Sequence, residues 1–498
     1  MENKENVEIV ENKKNVGAVV APPPKGAGIS LIPFLVFIAL FLGVGLFLDS
    51  QNVNMAFYQF PAPVAVFIGV IVAFFMLKGK IEEKMTTFVK GCGEENIIIM
   101  IIIFMLAAAF SDVARATGGV SSLVNMGLTF IPPQFLAAGL FIISCIMSIC
   151  IGTSMGTIAA IGPIAVGLAT AADLNMGLTM AGVVGGAMFG DNLSIISDTT
   201  IAVTRGLGVE MIDKFKLNFG VAIPAAIITV IIMIITGVPD TVHAAEVGDW
   251  NILLIIPYII VLVAAVSGMN VFVVLTMGIA LTGIVGFATG AFTQNMPEAL
   301  LAAGYVEGHF FYGIVIFARE IQAGFASMIP VIFTSLLIGG LAAMIRNAGG
   351  LEFLIFHIRK FIKGKKSAEV GMAVMISATD AAIANNTVAL IVTCPVIKDL
   401  AYEYKVDPRR AASISDIFAC VMQGIIPYGA QILLAVGLAG GAVSAMDIIP
   451  LLWYQWLLAI FCIIYIFVPF ADFFIRGNPW NFEHKMDTVN ARKKGLIP

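Results

Sequence analysis

Residues Gly186 to Thr200 read Gly-Ala-Met-Phe-Gly-Asp-Asn-Leu-Ser-Ile-Ile-Ser-Asp-Thr-Thr and lie in the middle of a long apolar run. Between Asp191 and Thr200 this stretch holds two carboxylates, one amide and four hydroxyls. A charged side chain at the centre of a bilayer is costly, so it is retained mainly where it has a function. Carboxylate, amide and hydroxyl oxygens are the ligands that small hard cations prefer. The stretch therefore indicates one half of an ion-binding site.

The same residues predict an interruption of their helix. Gly190 and the Asp191-Asn192 pair favour a break at this point. A break frees backbone carbonyls to bind an ion beside the side chains, and it is tolerated at membrane depth only where protein or a water-filled cavity surrounds it. We therefore predict a broken helix over 178–204. Its predicted ion ligands are Asp191, Asn192, Ser194, Ser197, Asp198 and Thr199.

The composition places the chain in the membrane class. Of its 498 residues, 59% are hydrophobic and 12% charged, and the mean hydropathy is +0.98. Apolar runs of about 20 residues, the length needed to cross a bilayer, recur from Leu31 to Phe474. The chain is predicted to be an all-α polytopic membrane protein embedded in the lipid bilayer.

Signatures of covalent chemistry are absent from the sequence. It contains no phosphate-binding loop, dinucleotide fingerprint, nucleophile elbow or metal-ligand spacing, and its six cysteines form no CxxC pair. We therefore expect no enzyme activity, no resident cofactor and no nucleic-acid partner. Movement of a solute would be driven by an ion gradient.

The order of segments divides the chain into four parts. Residues 1–30 are polar, charged and proline-rich, which predicts a disordered tail. A first repeat over 31–240 and a second over 250–475 follow, and a C-terminal tail occupies 476–498. Each repeat contains an interrupted hairpin and then a broken helix. The predicted hairpins cover 134–172 and 369–402, and the broken helices cover 178–204 and 411–439.

The distribution of positive charge indicates that both hairpins are re-entrant. If 134–172 and 369–402 enter and leave on one side, all of the 28 Lys and Arg except Arg115 and Arg319 fall on the same face. Crossing hairpins would scatter the positive loops over both faces, against the positive-inside bias. The resulting topology has about ten full spans plus two re-entrant hairpins, with both termini cytoplasmic.

The two halves share weak internal similarity. Arg115-Ala-Thr-Gly-Gly-Val matches Arg346-Asn-Ala-Gly-Gly-Leu, and the same offset of 231 (346 − 115) places Asn192 on Gln423. In the predicted topology the first repeat starts inside and the second outside. This is an inverted repeat, the architecture that lets one site open alternately to each side of a membrane.

The remaining interrupted segments supply further candidate site residues. The tip of the first hairpin offers Thr153 and Ser154, for which a helix-packing patch is the alternative. Asn and Asp at the second tip also make helix caps. Asp416 is either a cap near the cytoplasmic surface or part of a gating or proton path. The candidates of the second half are Thr379, Asp380, Asn385, Asn386, Thr387, Gln423, Tyr428 and Asp416.

Phe189-Gly-Asp-Asn-Leu-Ser-Ile-Ile-Ser-Asp-Thr-Thr200 closely resembles the Phe-Gly-Asp-x-x-Ser-x-x-Ser-Asp-Thr-Thr signature of the NhaC-type sodium/proton antiporters. That family belongs to the ion-transporter superfamily, whose members share inverted repeats with two re-entrant hairpins. The resemblance in order of segments covers most of 31–474. It implies a multi-pass protein of the cell membrane that exchanges Na⁺ for H⁺, with Na⁺ as the transported ion.

Two functions follow as hypotheses. In the first, Asp191 and Asp198 bind either Na⁺ or protons, because protonation removes the ligand, and this competition is sufficient for antiport. In the second, the chain is a sodium- or proton-coupled carrier of a small organic anion or an amino acid, since relatives of the resembled family exchange malate and lactate. The absence of a deeply buried Arg favours the antiporter, because a bound anion usually pairs with a cation. The sequence leaves the oligomeric state open, a homodimer included.

Overall fold

A computed structural model describes residues 27–51, 53, 59–130, 132, 135–194, 197–237, 249–267, 269–293, 304, 306, 308–494 and 496. Most of these residues are helical. The helices of the first half are α1 (Ile32–Ser50), α2 (Ala62–Met76), α3 (Ile81–Cys92), α4 (Glu95–Ala116), α5 (Gly119–Phe130), α6 (Leu136–Ile151), α7 (Ser154–Ala171), α8 (Met176–Leu193), α9 (Asp198–Leu207) and α10 (Met211–Thr236).

The second half repeats this plan. Its helices are α11 (Ile252–Val266), α12 (Val271–Ala288), α13 (Phe310–Ser327), α14 (Ile329–Asn347), α15 (Gly350–Arg359), α16 (Lys365–Ile383), α17 (Asn386–Glu403), α18 (Pro408–Ile425), α19 (Ala430–Leu438), α20 (Ala445–Ile448) and α21 (Trp453–Phe467). A small antiparallel pair, β1 (Trp480–Asn481) and β2 (Met486–Asp487), and the helix α22 (Thr488–Lys493) complete the chain.

Several helices are long and apolar enough to cross a membrane. In the described part of the chain seven helical stretches of 18 residues or more meet this condition, and the bent pair Ala445–Leu451 and Trp453–Phe467 would make eight. The chain is therefore a multi-pass membrane protein. The number of about ten spans stays a prediction, as do the re-entrant hairpins. The seven stretches are Ala27–Leu48, Ile97–Ala116, Ser154–Ala171, Met211–Thr236, Val271–Ala288, Ile329–Asn347 and Pro408–Leu438.

The helices recur in the same order in both halves. An amphipathic helix (α3 or α13) precedes a long apolar helix (α4 or α14) and a shorter one (α5 or α15). Two interrupted segments follow, α6–α7 with α8–α9 in the first half and α16–α17 with α18–α19 in the second. In each half the two arms of the predicted hairpin contact each other. The inverted orientation of the two repeats stays a prediction.

The two hairpin breaks share one local geometry. Gly152 ends α6 with φ 77° and Ala384 ends α16 with φ 56°, both left-handed. The next residues, Thr153 and Asn385, are extended and begin the second arm of each hairpin. These structural equivalences lie at an offset of 232 (384 − 152), one residue from the offset that the sequence match gives. A left-handed non-glycine residue is strained, and such strain concentrates at functional sites.

The break in the first broken helix lies later than the sequence predicts. Asp191 and Asn192 are still helical, and α8 ends only after Leu193. The Ser194 amide continues the ladder by donating to the Gly190 carbonyl at 2.6 Å. The backbone then turns extended at Ser194 and again at Ser197, which precedes α9. Asp and Asn lower helix propensity only slightly, so the packing of α8 overrides their preference.

Helix α8 runs through the core of the protein. All of its residues from Gly177 to Leu193 are buried, and it contacts α6, α7, α10, α18 and α21. A helix that is hydrophobic around its whole circumference is buried on every side. Glycines allow close approach here, because a Cβ at Gly186 would lie 2.6 Å from the Ser144 Cβ. Asp191 is therefore held on a rigid central element.

The prediction of a disordered N-terminal tail over 1–30 is wrong for its last residues. Residues 1–26 lie outside the described residues, but Ala27–Leu31 form a 3₁₀-helix. Ala27 and Ser30 are buried, and Gly28 packs against the ring of Phe353 on α15. This contact folds the last residues assigned to the tail. The C-terminal tail is also folded, since Arg409 donates to the Asn478 carbonyl at 2.7 Å.

We predict that both ends of the first hairpin face the same side of the membrane. The test places single cysteines at Pro132 and at Asp173, both exposed, in a variant whose native cysteines have been replaced. Both should react with an impermeant maleimide added from outside. Lys405→Cys, exposed on the predicted inner face, is the control that should react only after the membrane is opened. Labelling of Pro132→Cys and Asp173→Cys from opposite sides would contradict the re-entrant topology.

Candidate functional site

The Asp191 carboxylate is the centre of a buried cluster of hydroxyls. Its side chain is buried, with 6% of the residue exposed. Ser197 Oγ donates to Asp191 Oδ1 at 2.6 Å, and Ser154 Oγ donates to Asp191 Oδ2 at 3.0 Å. Thr199 Oγ1 lies 3.0 Å from Ser197 Oγ. A carboxylate surrounded by neutral oxygen atoms has the donor chemistry of a site for a hard monovalent or divalent cation.

The cluster joins the two halves of the chain. Asn386, the first residue of α17, places its amide Nδ2 3.5 Å from Asp191 Oδ2. Gln431 on α19 donates to Ser154 Oγ at 3.1 Å, and Gln423 on α18 donates to Gln431 Oε1 at 2.7 Å. Side chains from both predicted hairpins and both broken helices thus meet around one carboxylate.

A cavity of about 110 Å³ lies beside this cluster and is lined by all four interrupted segments. The volume suits an ion with a few waters rather than a large solute. Asp198, whose side chain is exposed, lines the same cavity, and so do the predicted site residues Thr153 and Thr387. The polar lining comprises Thr153, Ser154, Asp191, Asp198, Asn385, Asn386, Thr387, Gln423 and Gln431.

Side chains bind the carbonyls freed at the break after α8 and one carbonyl in the last turn of α6. Thr199 Oγ1 donates to the Asp191 carbonyl at 3.3 Å. Thr200 Oγ1 donates to the Ser194 carbonyl at 2.8 Å, and Ser194 Oγ donates to the Ile149 carbonyl at 2.9 Å. The last carbonyls of a helix have no partner within it, and these side chains supply one for three of them. They also fix the position of Asp191.

Part of the predicted second-half site lies outside the cavity lining. Asp380 is fully buried, and among the described residues neither of its carboxylate oxygens has a hydrogen-bond partner. The hydroxyl of Thr379 beside it is likewise buried without a partner there. Tyr428 donates its hydroxyl to the Ala381 carbonyl at 2.8 Å and packs against Phe34 and Phe37. Tyr428 thus links the second hairpin to α1 and does not line the cavity.

Asp416 is not a helix cap. Asp407 caps α18 by accepting a hydrogen bond from the Arg409 amide, and Asp416 lies more than two turns farther along the helix, fully buried. Its Oδ2 is 2.6 Å from Lys214 Nζ on α10. Asn218, one turn beyond Lys214, donates to the same oxygen at 2.8 Å. The interpretation of Asp416 as a surface cap is therefore wrong, while a gating or proton-path role stays a prediction.

Lys214 and Asn218 are the residues that sequence reasoning missed. The charge distribution assigns Lys214 to an inner loop, but its side chain is only 1% exposed. Lys214 Nζ donates to the Asn192 carbonyl at 2.6 Å and to Thr200 Oγ1 at 2.7 Å. The sequence carried one signal: a spacing of four puts Lys214 and Asn218 on the helix face that also holds Val221, Ala222 and Ala225. That face is apolar and buried.

The expectation that no arginine is deeply buried is also wrong. Arg409 is 1% and Arg410 is 3% exposed. Arg410 Nε pairs with Glu369 Oε1 at 2.8 Å, and its Nη1 pairs with Asp472 Oδ1 at 2.8 Å. Arg409 pairs with Asp407 at 2.7 Å. The sequence hides the partners of Arg410, because Glu369 and Asp472 are 41 and 62 residues away in the chain. Neither arginine lines the cavity beside Asp191.

Comparison with known proteins identifies relatives over the whole membrane region. A family model described as "Na+/H+ antiporter family" matches residues 24–238 and 241–470. A malate-2H(+)/Na(+)-lactate antiporter of Bacillus subtilis (strain 168) is 23% identical over 482 residues, which cover 92% of this chain and 96% of that protein. The Na(+)/H(+) antiporter NhaC of the same organism is 27% identical over 307 residues, covering 57% and 64% of the two chains.

A solved structure shows distant similarity. The YdaH transporter of Alcanivorax borkumensis, described as having an unusual topology, aligns with a TM-score of 0.36 at 14% identity. The alignment covers 77% of this chain and 87% of that one.

Proposed function

The chain belongs to the Na⁺/H⁺ antiporter family, and from this premise we propose that it exchanges Na⁺ for H⁺ at the cavity beside Asp191. One observation carries the proposal. The buried Asp191 carboxylate is contacted by Ser154 of one interrupted segment, Ser197 of a second and Asn386 of a third. Such a site supplies one negative charge and several neutral oxygens, which suits a hard monovalent cation.

The chemistry of this cluster makes Na⁺ and H⁺ competitors. Hydroxyls of Ser154 and Ser197 now donate to the carboxylate, and rotation of their O–H bonds would present oxygen lone pairs to an ion instead. A proton on Asp191 removes the negative charge on which cation binding depends. Asp198, at the exposed side of the same cavity, is proposed as the second carboxylate on the ion's route. Competition at one site is sufficient for exchange.

Alternating access is proposed from the position of the site between the repeats. Cavity residues come from α7, α8 and α9 of the first half and from α17, α18 and α19 of the second. Movement of one repeat against the other would therefore open the cavity to one side at a time. The protein is proposed to work in the cell membrane with both termini cytoplasmic.

Transport by purified protein in liposomes tests this function. Vesicles carry an internal pH dye, and Na⁺ is added outside against a K⁺ control of equal concentration. Na⁺ alone should move protons out of the vesicles and raise the internal pH, since the internal protons leave as Na⁺ enters. No pH change on adding Na⁺ to folded, inserted protein would contradict the proposal.

A second candidate function is coupled exchange of a small organic anion. The helix N-termini of α7 and α17 open on the cavity at Ser154 and Asn386, and helix N-termini bind anions. The relative named as a malate-2H(+)/Na(+)-lactate antiporter also matches over nearly its full length. In this case Na⁺ at Asp191 would offset the charge of the anion held by Asn385 and Asn386.

Asn385 separates the two functions. Its side chain caps α17 by accepting from the Val388 amide at 3.0 Å, so Asn385→Ala should cost about 1 kcal/mol of stability in either case. For a cation/proton exchanger, no acid in a panel of small carboxylates and amino acids should raise the melting temperature. Under the second function, one acid should raise it only with Na⁺ present, and Asn385→Ala should remove that shift while Na⁺ keeps its own effect. Asn175→Ala, which removes the equivalent cap of α8 far from the second hairpin, is the matched control.

A further inference from the structure

Lys214 and Asp416 form a buried ion pair next to the proposed site. Their charged atoms are 2.6 Å apart, and Lys214 is 1% and Asp416 0% exposed. The ammonium group of Lys214 has three donors, and its three acceptors are Asp416 Oδ2, the Asn192 carbonyl and Thr200 Oγ1. Both charges are therefore fully desolvated and fixed in place.

The pair contacts both parts of the broken helix that carries Asp191, α8 and α9. Asn192, whose carbonyl Lys214 binds, is the residue after Asp191 and lies near the end of α8. Thr200 lies in the first turn of α9, on the other side of the break. Asp416 belongs to α18 of the second half, and Asn218 links it to α8 by donating both to Asp416 Oδ2 at 2.8 Å and to Asn192 Oδ1 at 2.5 Å. A charge at this position acts directly on an ion bound by Asp191.

We infer that the Lys214–Asp416 ion pair sets the Na⁺ affinity of the Asp191 site, because each of its two charges compensates the effect of the other on a bound Na⁺. The inference rests on the proposed function. With both charges present, Asp191, Lys214 and Asp416 together carry a net charge of −1. Loss of the Asp416 charge leaves Lys214 to repel Na⁺, and loss of the Lys214 charge leaves Asp416 to attract it.

This arrangement predicts shifts of opposite sign for the two single neutralisations. Asp416→Asn should raise the apparent KM for Na⁺, called the Na⁺ constant below, about tenfold. Lys214→Gln should lower it by a similar factor. A factor of about ten corresponds to about 1.4 kcal/mol, the order of magnitude expected for one unit charge that lies near a bound ion without touching it. Both constants are measured in liposomes at alkaline pH, where protons compete least with Na⁺. A purely structural role would weaken Na⁺ binding in both variants.

The double variant Lys214→Gln/Asp416→Asn restores the net charge. Its Na⁺ constant should lie within about threefold of the native value, whereas each single change shifts that constant about tenfold. Because it leaves no buried charge unpaired, the double variant should also insert and fold where a single variant does not. Lys214→Arg, which keeps the positive charge, should shift the Na⁺ constant less than Lys214→Gln does.

A second buried ion pair supplies the matched control. Arg410 and Glu369 are also buried and paired at 2.8 Å, but neither lines the Asp191 cavity. Glu369→Gln should lower the melting temperature without changing the Na⁺ constant.

The outcomes separate failure of the inference from failure of the proposed function. Native protein that shows no Na⁺-driven proton movement would overturn both. Native exchange with single-variant shifts of the same sign would overturn the inference alone. A folded double variant that has lost Na⁺ binding, measured by the Na⁺-dependent melting shift, would also overturn it, even where the single variants do not fold. Opposite shifts with recovery in the double variant would establish it.

Discussion

Replacing Asp191 with asparagine is expected to abolish Na⁺-driven proton movement while the protein still inserts and folds. The amide keeps the shape of the carboxyl group: its oxygen can still accept from Ser197, and its NH₂ group can donate to the hydroxyl oxygen of Ser154. It loses the charge that binds the cation and the group that carries the proton. A unit charge about 4 Å from a bound ion contributes about 4 kcal/mol at an effective dielectric constant of about 20, which is about a thousandfold in affinity.

The measurement is proton movement in liposomes together with the Na⁺-dependent melting shift in detergent. Both should disappear in Asp191→Asn. Asp173→Asn is the matched control, since Asp173 is exposed in a turn with φ 50° and asparagine tolerates this left-handed conformation. Asp198→Asn should have a smaller effect, a raised Na⁺ constant, because that side chain is exposed on the cavity. Native exchange by the Asp191→Asn variant would show that this carboxylate is structural.

Gly190→Ala is expected to destabilise the protein strongly. Gly190 lies where α8 crosses α6, and an added Cβ would overlap the side chain and the carbonyl carbon of Ser148. Backbone atoms of two buried helices cannot move apart without opening the core around Asp191. Overpacking usually costs about 1–3 kcal/mol, and a clash with fixed backbone should reach or exceed the upper end of that range.

Thermal melting of the purified protein and its yield in the membrane measure this loss. Gly139→Ala is the control, because Gly139 lies on the partner helix α6 and a Cβ there would meet no atom within 4 Å. Alanine favours a helix by up to about 1 kcal/mol over glycine, so the melting temperature of this variant should stay constant or rise. A native melting temperature for Gly190→Ala would contradict the close approach of α6 and α8.

Much of the fold follows from local sequence features. Long apolar runs predict the helices, because the bilayer offers no other partners for backbone groups. Helices end at Gly152-Thr153 and at Ala384-Asn385, where glycine or polar residues stand in otherwise apolar runs. The break after Leu193 is displaced from the predicted position, since contacts on every side of α8 hold Asp191 and Asn192 in the helix. Dense tertiary packing thus overrides the local tendency of Asp and Asn to end a helix.

Sequence patterns also predicted most of the polar residues of the candidate site. Carboxylates, amides and hydroxyls are expensive in an apolar run, so their presence marks the four segments that line the cavity. The pattern does not say which of them meet. Asp191, Ser154 and Asn386 do, whereas Asp380 lies away from the cavity lining.

By itself the sequence determined the membrane class, and it predicted interrupted helices and Asp191 as a candidate ion ligand, because each of these depends on the cost of polar groups within one apolar segment. Only the tertiary structure decided how distant charges pair. Lys214 is 202 residues from Asp416 (416 − 214), and Arg410 is 41 residues from Glu369 (410 − 369). A lone lysine near a helix end is usually a solvated loop residue. It becomes part of the site only because α10 and α18 pack together and exclude water between them.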